Sequence, residues 1–550
     1  MALIKQTFKS LTKKEKWVSL FLLVVFCFSG AQLFTDIDNP TTGMSQETVY
    51  SEGVVGEIIH INPIFTEFND VDADISSLVF SGLVRYNAQS GEFEEDIATH
   101  TLSEDKLTYT FTLKNDVKWH DGEDMTAEDL YFTFAEVIQS PDFNNPVLKS
   151  NFEGVVVELV NTREISFTLN SPNTFFFSAL TMGVLPQHIL AEVPVSELDT
   201  HEFNRQPIGS GPYLVAAPYE FGSEGETSVT LLRNELYYEE APTIETLRFI
   251  AYPSYEALLD KRSEWNGAAR LRAQQLELLS EEDLVSYQYE LPQYTALFLN
   301  TDSPNLDQNS ERLGVSKAIN KQDILDAIGY KVPIDTPLLE LDQGEWIHQY
   351  DPEEAQGALF DAGWELDEET NLRMDEDGEA YELRLIRRDF SGANDQQEET
   401  TLITAELVKA QLAEVGVSVV IESYSINELS EVIKTRDYDI LLYGQSLGYN
   451  LDVFSYWHSS QATETGLNLS NYQNAKADFH IETIRSSFDS TEHEESLQEL
   501  ANIISEDVPA VFLYTPSYYY LLDTKITGFD FEKLLRPLDR FSNIDLWILN

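Results

Sequence analysis

Residues 399–421 read Glu399-Thr-Thr-Leu-Ile-Thr-Ala-Glu-Leu-Val-Lys-Ala-Gln-Leu-Ala-Glu-Val-Gly-Val-Ser-Val-Val-Ile421. Their pattern sets the fold class. A helical pattern from Glu399 to Val415 stops at Gly416, and the β-branched run Val417–Ile421 follows as a strand. Asp439-Ile-Leu-Leu-Tyr443 is a second apolar run and reads as a buried strand. Strands alternating with helices in this order are what a three-layer α/β lobe requires.

The same grammar recurs elsewhere in the chain. Asp351-Pro352-Glu-Glu-Ala355 opens a helix, with Asp351 as N-cap and Pro352 in the first turn, and Gly363 closes it. Leu107-Thr-Tyr-Thr-Phe-Thr-Leu113 alternates with period two, as a half-buried strand does. Asp121-Gly122 is a turn. Thr126 then caps a helix with Asp129 three residues on, and Leu130, Phe134, Val137 and Ile138 form its apolar face. Val155–Val160 and Glu164–Leu169 read as a hairpin joined by Asn161–Arg163. Pro207-Ile-Gly-Ser-Gly-Pro-Tyr213 is a rigid turn, and Gly209 and Gly211 are predicted to take backbone angles closed to other residues. No internal repeat or low-complexity tract interrupts the pattern.

The chain has 550 residues, enough for three or four units at about 150 each. Lys plus Arg number 35 against 95 Asp plus Glu, a net charge of −60. Residues 1–34 hold five Lys and one Glu, so the remaining 516 residues carry −64. Such a surface repels phosphate backbones, which excludes a nucleic-acid partner. Apolar residues at 42% and aromatics at 12% exclude a disordered acidic chain. The acidity either solvates the surface or attracts cationic ligands. Cys27 is the one cysteine, so no intrachain disulfide or thiol pair exists.

Lys5, Lys9, Lys13, Lys14 and Lys16 precede the apolar run Trp17–Ser29, and acidic polar sequence follows from Asp36. This is the layout of an export signal. Cleavage after Ala31 and retention of residues 17–34 as a membrane anchor are both open, with retention preferred. Phe26 before Cys27 argues against lipidation. Residues 35–50 read as a tether, and the body lies outside the cytoplasmic membrane in either case.

Gly444-Gln-Ser446-Leu-Gly448 matches the G-x-S-x-G elbow of serine hydrolases, but loop-like sequence follows where a helix is needed. Asp70-Val-Asp-Ala-Asp74 fails as a calcium loop, because Ile75 and Ser81 occupy the required Gly and Glu places. Asp375–Gly378 fails likewise and reads as a hairpin turn. His493-Glu494 lacks the second His of a zinc-protease helix. No metal or cofactor site is expected. Aromatic clusters at Tyr518–Tyr520 and at Phe454, Tyr456 and Trp457 are candidates for cleft walls.

Several ordered motifs carry a resemblance. Ile75–Tyr86, Asp96-Ile-Ala98, Leu107–Lys114, Val117-Lys-Trp-His-Asp-Gly-Glu-Asp-Met-Thr-Ala-Glu-Asp-Leu130, Pro207–Tyr213, Leu299–Thr301, Arg312–Ile324 and Asp351–Trp364 run in one sequence. Together they resemble the extracellular solute-binding proteins of family 5, the oligopeptide- and dipeptide-binding components of ABC importers. The likeness spans roughly residues 50–535. It implies an α/β, two-lobed periplasmic-binding-protein-like clamshell of the class II, large peptide-binding type, to which the apolar leader adds an N-terminal membrane segment. The implied units are 1–34 (signal or anchor), 35–50 (tether), 51–296 with 513–550 (first lobe) and 297–512 (second lobe).

The resemblance further implies a monomeric, non-enzymatic binder that captures an oligopeptide-like ligand and delivers it to an ABC permease. It places ligand contacts at Glu67, Asn300, Gln445, Ser446, Leu447, Tyr449, Asp452 and Trp457. The family aspartate that pairs with a ligand's α-ammonium falls at Leu447, leaving Asp452 or Glu67 to serve, or a ligand without a free amine. A secreted hydrolase using Ser446, and a sensor or scaffold on the same fold with no transporter, stand as alternatives.

Overall fold

The helix read from Glu399 runs from Asp395 to Glu414, and the strand behind it covers Ser418–Tyr424. The computed structural model describes residues 49–550 apart from 67–68, 280–282, 331, 342–348, 392–394 and 450. The anchor and nearly all of the tether read from the sequence lie outside the described residues. Among the described residues, no helix is long and apolar enough to cross a membrane.

Two sheets organise the chain. The smaller has six strands in the order 332–333, 510–515, 293–299, 440–446, 382–388, 418–424. Its last three are parallel neighbours, joined by the helices 395–414 and 426–435. Alternate side chains feed two cores. Leu297 and Leu299 enter one face and Ala296 and Phe298 the other, so this unit has the three layers expected.

The larger sheet has eight strands. Strand 49–55 lies between 246–252 and 267–271, parallel to both, and 517–523 pairs antiparallel with 267–271 and 284–290. Phe249 and Ala251 face one core while Ile250 and Tyr252 face the other. The chain passes from the larger sheet to the smaller through Leu291–Pro292 and returns through Pro516. Both links are short, and each contains a proline that fixes one backbone angle.

Two sequence motifs meet on the larger lobe. In Trp119-His120-Asp-Gly, the His120 amide donates to the Gly209 carbonyl at 2.8 Å, and its Nδ1 accepts from the Gly209 amide at 3.1 Å. The opposite ring nitrogen lies 3.1 Å from the Gly211 carbonyl and must carry the proton. Burial pulls His120 down to about 4, so the ring stays neutral.

Gly209 and Gly211 correct the sequence reading. Neither is among the residues with positive φ. Glycine is required by close approach instead: a Cβ on Gly209 would lie 1.9 Å from the Val79 carbonyl oxygen, and one on Gly211 2.5 Å from that of Leu78.

The other local readings hold. Thr126 and Asp129 form a capping box, and the helix continues through a π-turn segment, 132–138, that buries Phe134, Val137 and Ile138. Asp351 accepts from the amides of Glu353 and Glu354, and Gly363 has φ +98°. Asp375–Gly378 forms the turn expected, closed by the Met374–Ala380 bridge.

Candidate functional site

A cavity of about 1580 Å³ opens between the lobes. From the larger lobe, the segments 76–86, 169–183 and 535–545 line it. From the smaller come the end of strand 440–446, the loop that follows, and the helix 475–486. Pockets for drug-sized ligands span roughly 300–1,000 Å³, so this larger space suits an extended solute.

Nine carboxylates and four guanidiniums, with no Lys or His, stand among the described lining residues. All four guanidiniums are already engaged. Arg85 meets Glu239 at 2.5 Å, Arg270 meets Asp74 at 2.8 Å, and Arg485 meets Asp452 at 2.9 Å. Arg536 lies over the Tyr449 ring. The wall is net acidic, and its cations are largely neutralised before a ligand arrives. At one end Tyr238 donates a short hydrogen bond to Asp96. Burial pushes Asp96 up to about 6, against the pull of Tyr238 and Arg85.

Behind the wall is a buried ionic cluster. Arg540 donates to Glu52 at 3.0 Å and to both oxygens of Asp74 at 2.9 and 2.7 Å. Glu52 also accepts from Tyr50 and Tyr520. Burial alone would raise Asp74, but the guanidiniums of Arg270 and Arg540 hold it below the ordinary carboxylate range. Burial wins at Glu52, which is raised. Arg270 sits at φ +60°, within a register shift of its strand. This bulge turns the side chain towards Asp74 and the cavity wall.

The structure distributes the predicted contacts unevenly. Ser446, Leu447, Tyr449 and Asp452 line the cavity together. Leu447 is buried in the smaller lobe's core and leaves no carboxylate at that point. Asp452 is engaged by Arg485 and by the Phe454 amide; burial raises it, with Arg485 pulling the other way.

Asn300, Gln445 and Trp457 are not among the lining residues. Asn300 donates to the carbonyls of Arg436 and Tyr438. Gln445 accepts from Tyr294 at 2.5 Å and donates to the Leu467 carbonyl, and the Trp457 indole donates to the same Tyr294 hydroxyl at 3.1 Å. Glu67 lies outside the described residues. Arg85, Asp96, Arg270 and Tyr238 are not singled out by the sequence reading. Of these, Arg85 and Asp96 carry a signal, since they fall inside the Ile75–Tyr86 and Asp96-Ile-Ala98 motifs.

The G-x-S-x-G pentapeptide does not build an elbow. Ser446 is the last residue of its strand, and the next described helix begins at Phe454. His458 is occupied by Ser460 and Glu482 and stacks on Phe454.

Two lobes, two short links and one large cavity between them define the hinged solute-binding class. The family model described as bacterial extracellular solute-binding proteins, family 5 middle, matches residues 92–466, and the chain belongs to that family. It is 25% identical over 537 residues to the oligopeptide-binding protein AppA of Bacillus subtilis, covering 90% of this chain and 91% of that one. The solved structure of that AppA with a nonapeptide superposes with a TM-score of 0.69 at 23% identity, over 91% of this chain and 99% of that one. NikZ from Campylobacter jejuni, solved with Ni(L-His), gives 0.71 at 23% identity, over 92% and 100%. The named relatives are binding proteins rather than enzymes, and the family is extracellular.

Proposed function

We propose that this chain captures an oligopeptide-like solute between its lobes and hands it, chemically unchanged, to an ABC import permease. The observation that carries the reading is the size of the cavity, about 1580 Å³. That volume exceeds what a single metal chelate needs and accommodates an extended chain with bridging water. The likeness to an oligopeptide-binding relative over nine-tenths of both chains supports it. The lobe division read from the sequence, 297–512, would cut through strands 293–299 and 510–515, which belong to one sheet; the division proposed here moves the seams to Leu291–Pro292 and Pro516, where the chain changes sheet.

The contacts proposed for the solute are Ser446, Leu447 and the walls around Asp96 and Arg270. Because the wall arginines Arg85, Arg270 and Arg485 are already paired with acids, main-chain hydrogen bonds carry affinity, and acidic peptides bind less well than neutral or basic ones. Retention of residues 17–34 holds the body at the outer face of the membrane. Its test is whether alkaline carbonate leaves the protein with the membrane fraction.

The function is tested by native mass spectrometry of gently purified protein and by thermal shift with a synthetic random-sequence peptide pool. Retained peptide masses, and a shift rising with pool concentration, are expected. No shift with the pool, alongside a clear shift with a nickel chelate, would replace the peptide reading with a metal-chelate one.

A further inference from the structure

Tyr449 lies three residues past the end of strand 440–446, on the smaller lobe. Its side chain is absorbed by the larger lobe. The ring packs 5.9 Å from Tyr86 and edge-on to Phe93 at 5.8 Å. Both belong to the hairpin 84–87/92–95. The Arg536 guanidinium covers the ring at 5.3 Å. The hydroxyl donates to Asp539 Oδ1 at 2.5 Å. Asp539 cannot swing away, because its Oδ2 accepts from the Leu535 and Arg536 amides at 2.9 and 2.6 Å.

This is a preformed socket on one lobe and a plug on the other. The plug is rooted beside the cavity wall formed by Ser446 and Leu447. A tyrosine whose hydroxyl and ring are both engaged across the interface has little left to offer a solute. We infer that Tyr449 is a closing pin: a positioning residue that binds no solute chemistry itself and sets the fraction of molecules whose lobes are shut. Since apparent affinity scales with the fraction of binding-competent molecules, the pin tunes affinity for every solute by one common factor. Side chains that touch the solute act selectively instead.

The inference rests on solute capture between the lobes, as proposed above. The test uses Y449F, which keeps the ring and removes only the hydroxyl. A random-sequence peptide pool is split into acidic, neutral and basic fractions, and dissociation constants are measured for wild type and variant. Loss of a hydrogen bond to a charged group predicts weakening on the order of 10-fold, equal for the three fractions, with an unchanged melting temperature. Unequal factors would make Tyr449 a solute contact, and no weakening would leave it a bystander; either overturns the pin. If no fraction binds wild type, the peptide reading falls. The pin is then judged by X-ray scattering of ligand-free protein: Y449F must have the larger radius of gyration, and equal radii overturn it.

Discussion

Replacing Arg540 by methionine removes a charge that balances two buried acids and leaves an unbranched apolar side chain in the place of the arginine stem. Arg540, Glu52 and Asp74 are each 1% exposed or less. In R540M, Asp74 retains Arg270 at 2.8 Å, but Glu52 keeps only the hydroxyls of Tyr50 and Tyr520. Orphaning one partner of a buried pair costs about 3–5 kcal/mol, a large share of a typical total stability of about 5–15 kcal/mol. The loss centres on strand 49–55, helix 70–79 and the C-terminal segment that Arg540 ties to them. It should be seen as a lowered urea midpoint and faster amide exchange at residues 535–549. The double variant E52Q/R540M tests the cause. It leaves Asp74 and Arg270 as a one-to-one pair and puts a neutral amide between the two tyrosines in place of the Glu52 carboxylate. It should recover much of the loss although it removes a further charged group. If the double variant is no more stable than R540M, charge balance is not what holds this cluster.

Stability should rise as pH falls from 7 to 5. Burial pushes Asp72, Asp96 and Asp539 up to about 6, so the folded chain takes up these protons before the unfolded chain does, and stability is lost again as pH climbs through 6. His120, held at about 4, works oppositely, since the unfolded ring protonates first. Three carboxyls against one imidazole leave a net gain of about 2 kcal/mol at pH 5; a lower urea midpoint at pH 5 than at pH 7 would contradict it. Gly209→Ala would place a methyl group 1.9 Å from the Val79 carbonyl oxygen. Backbone there must shift, at a cost of about 3 kcal/mol or more, read from the melting temperature; a neutral G209A would show that the contact relaxes freely.

The helix 395–414 and the Asp351 cap were legible because period and capping are local. Each depends on residues within one or two turns. The role of Gly209 was misread because its constraint comes from the carbonyl of Val79, more than a hundred residues away in sequence. A glycine in a turn looks the same whether torsion or crowding demands it. Trp457 looked like a wall residue because composition cannot separate an aromatic inside a core from one beside a cavity. Its burial is decided by Tyr294 and Phe512, on strands of the same sheet distant in sequence. Ser446, Leu447 and Tyr449 were placed at the cleft only through the family resemblance; they do line the cavity, but the G-x-S-x-G pattern around them pointed to a different chemistry. The partner of Tyr449 lies 90 residues away, and that of Glu52 lies 488 residues away, so neither pairing leaves a pattern in the sequence.

Charge sets a final condition on closure. On one side of the seams, residues 49–292 and 516–550 hold 17 Lys and Arg against 47 Asp and Glu, a net of −30; residues 293–515 hold 13 against 44, a net of −31. Shutting the lobes therefore brings together two bodies of like charge and nearly equal magnitude. The direct contacts that oppose this repulsion include the Tyr449–Asp539 bond and Thr174, whose amide donates to the Arg485 carbonyl at 2.8 Å. Salt screens the repulsion, with a Debye length of about 8 Å at physiological strength and about 3 Å at 1 M. It leaves short, buried hydrogen bonds largely untouched. Affinity for a neutral peptide fraction should accordingly rise, by several-fold, between low and high KCl. Were the solute held mainly by attraction between its own charge and the acidic wall, affinity would fall with salt instead. A falling affinity for the neutral fraction would show that lobe–lobe repulsion does not govern closure.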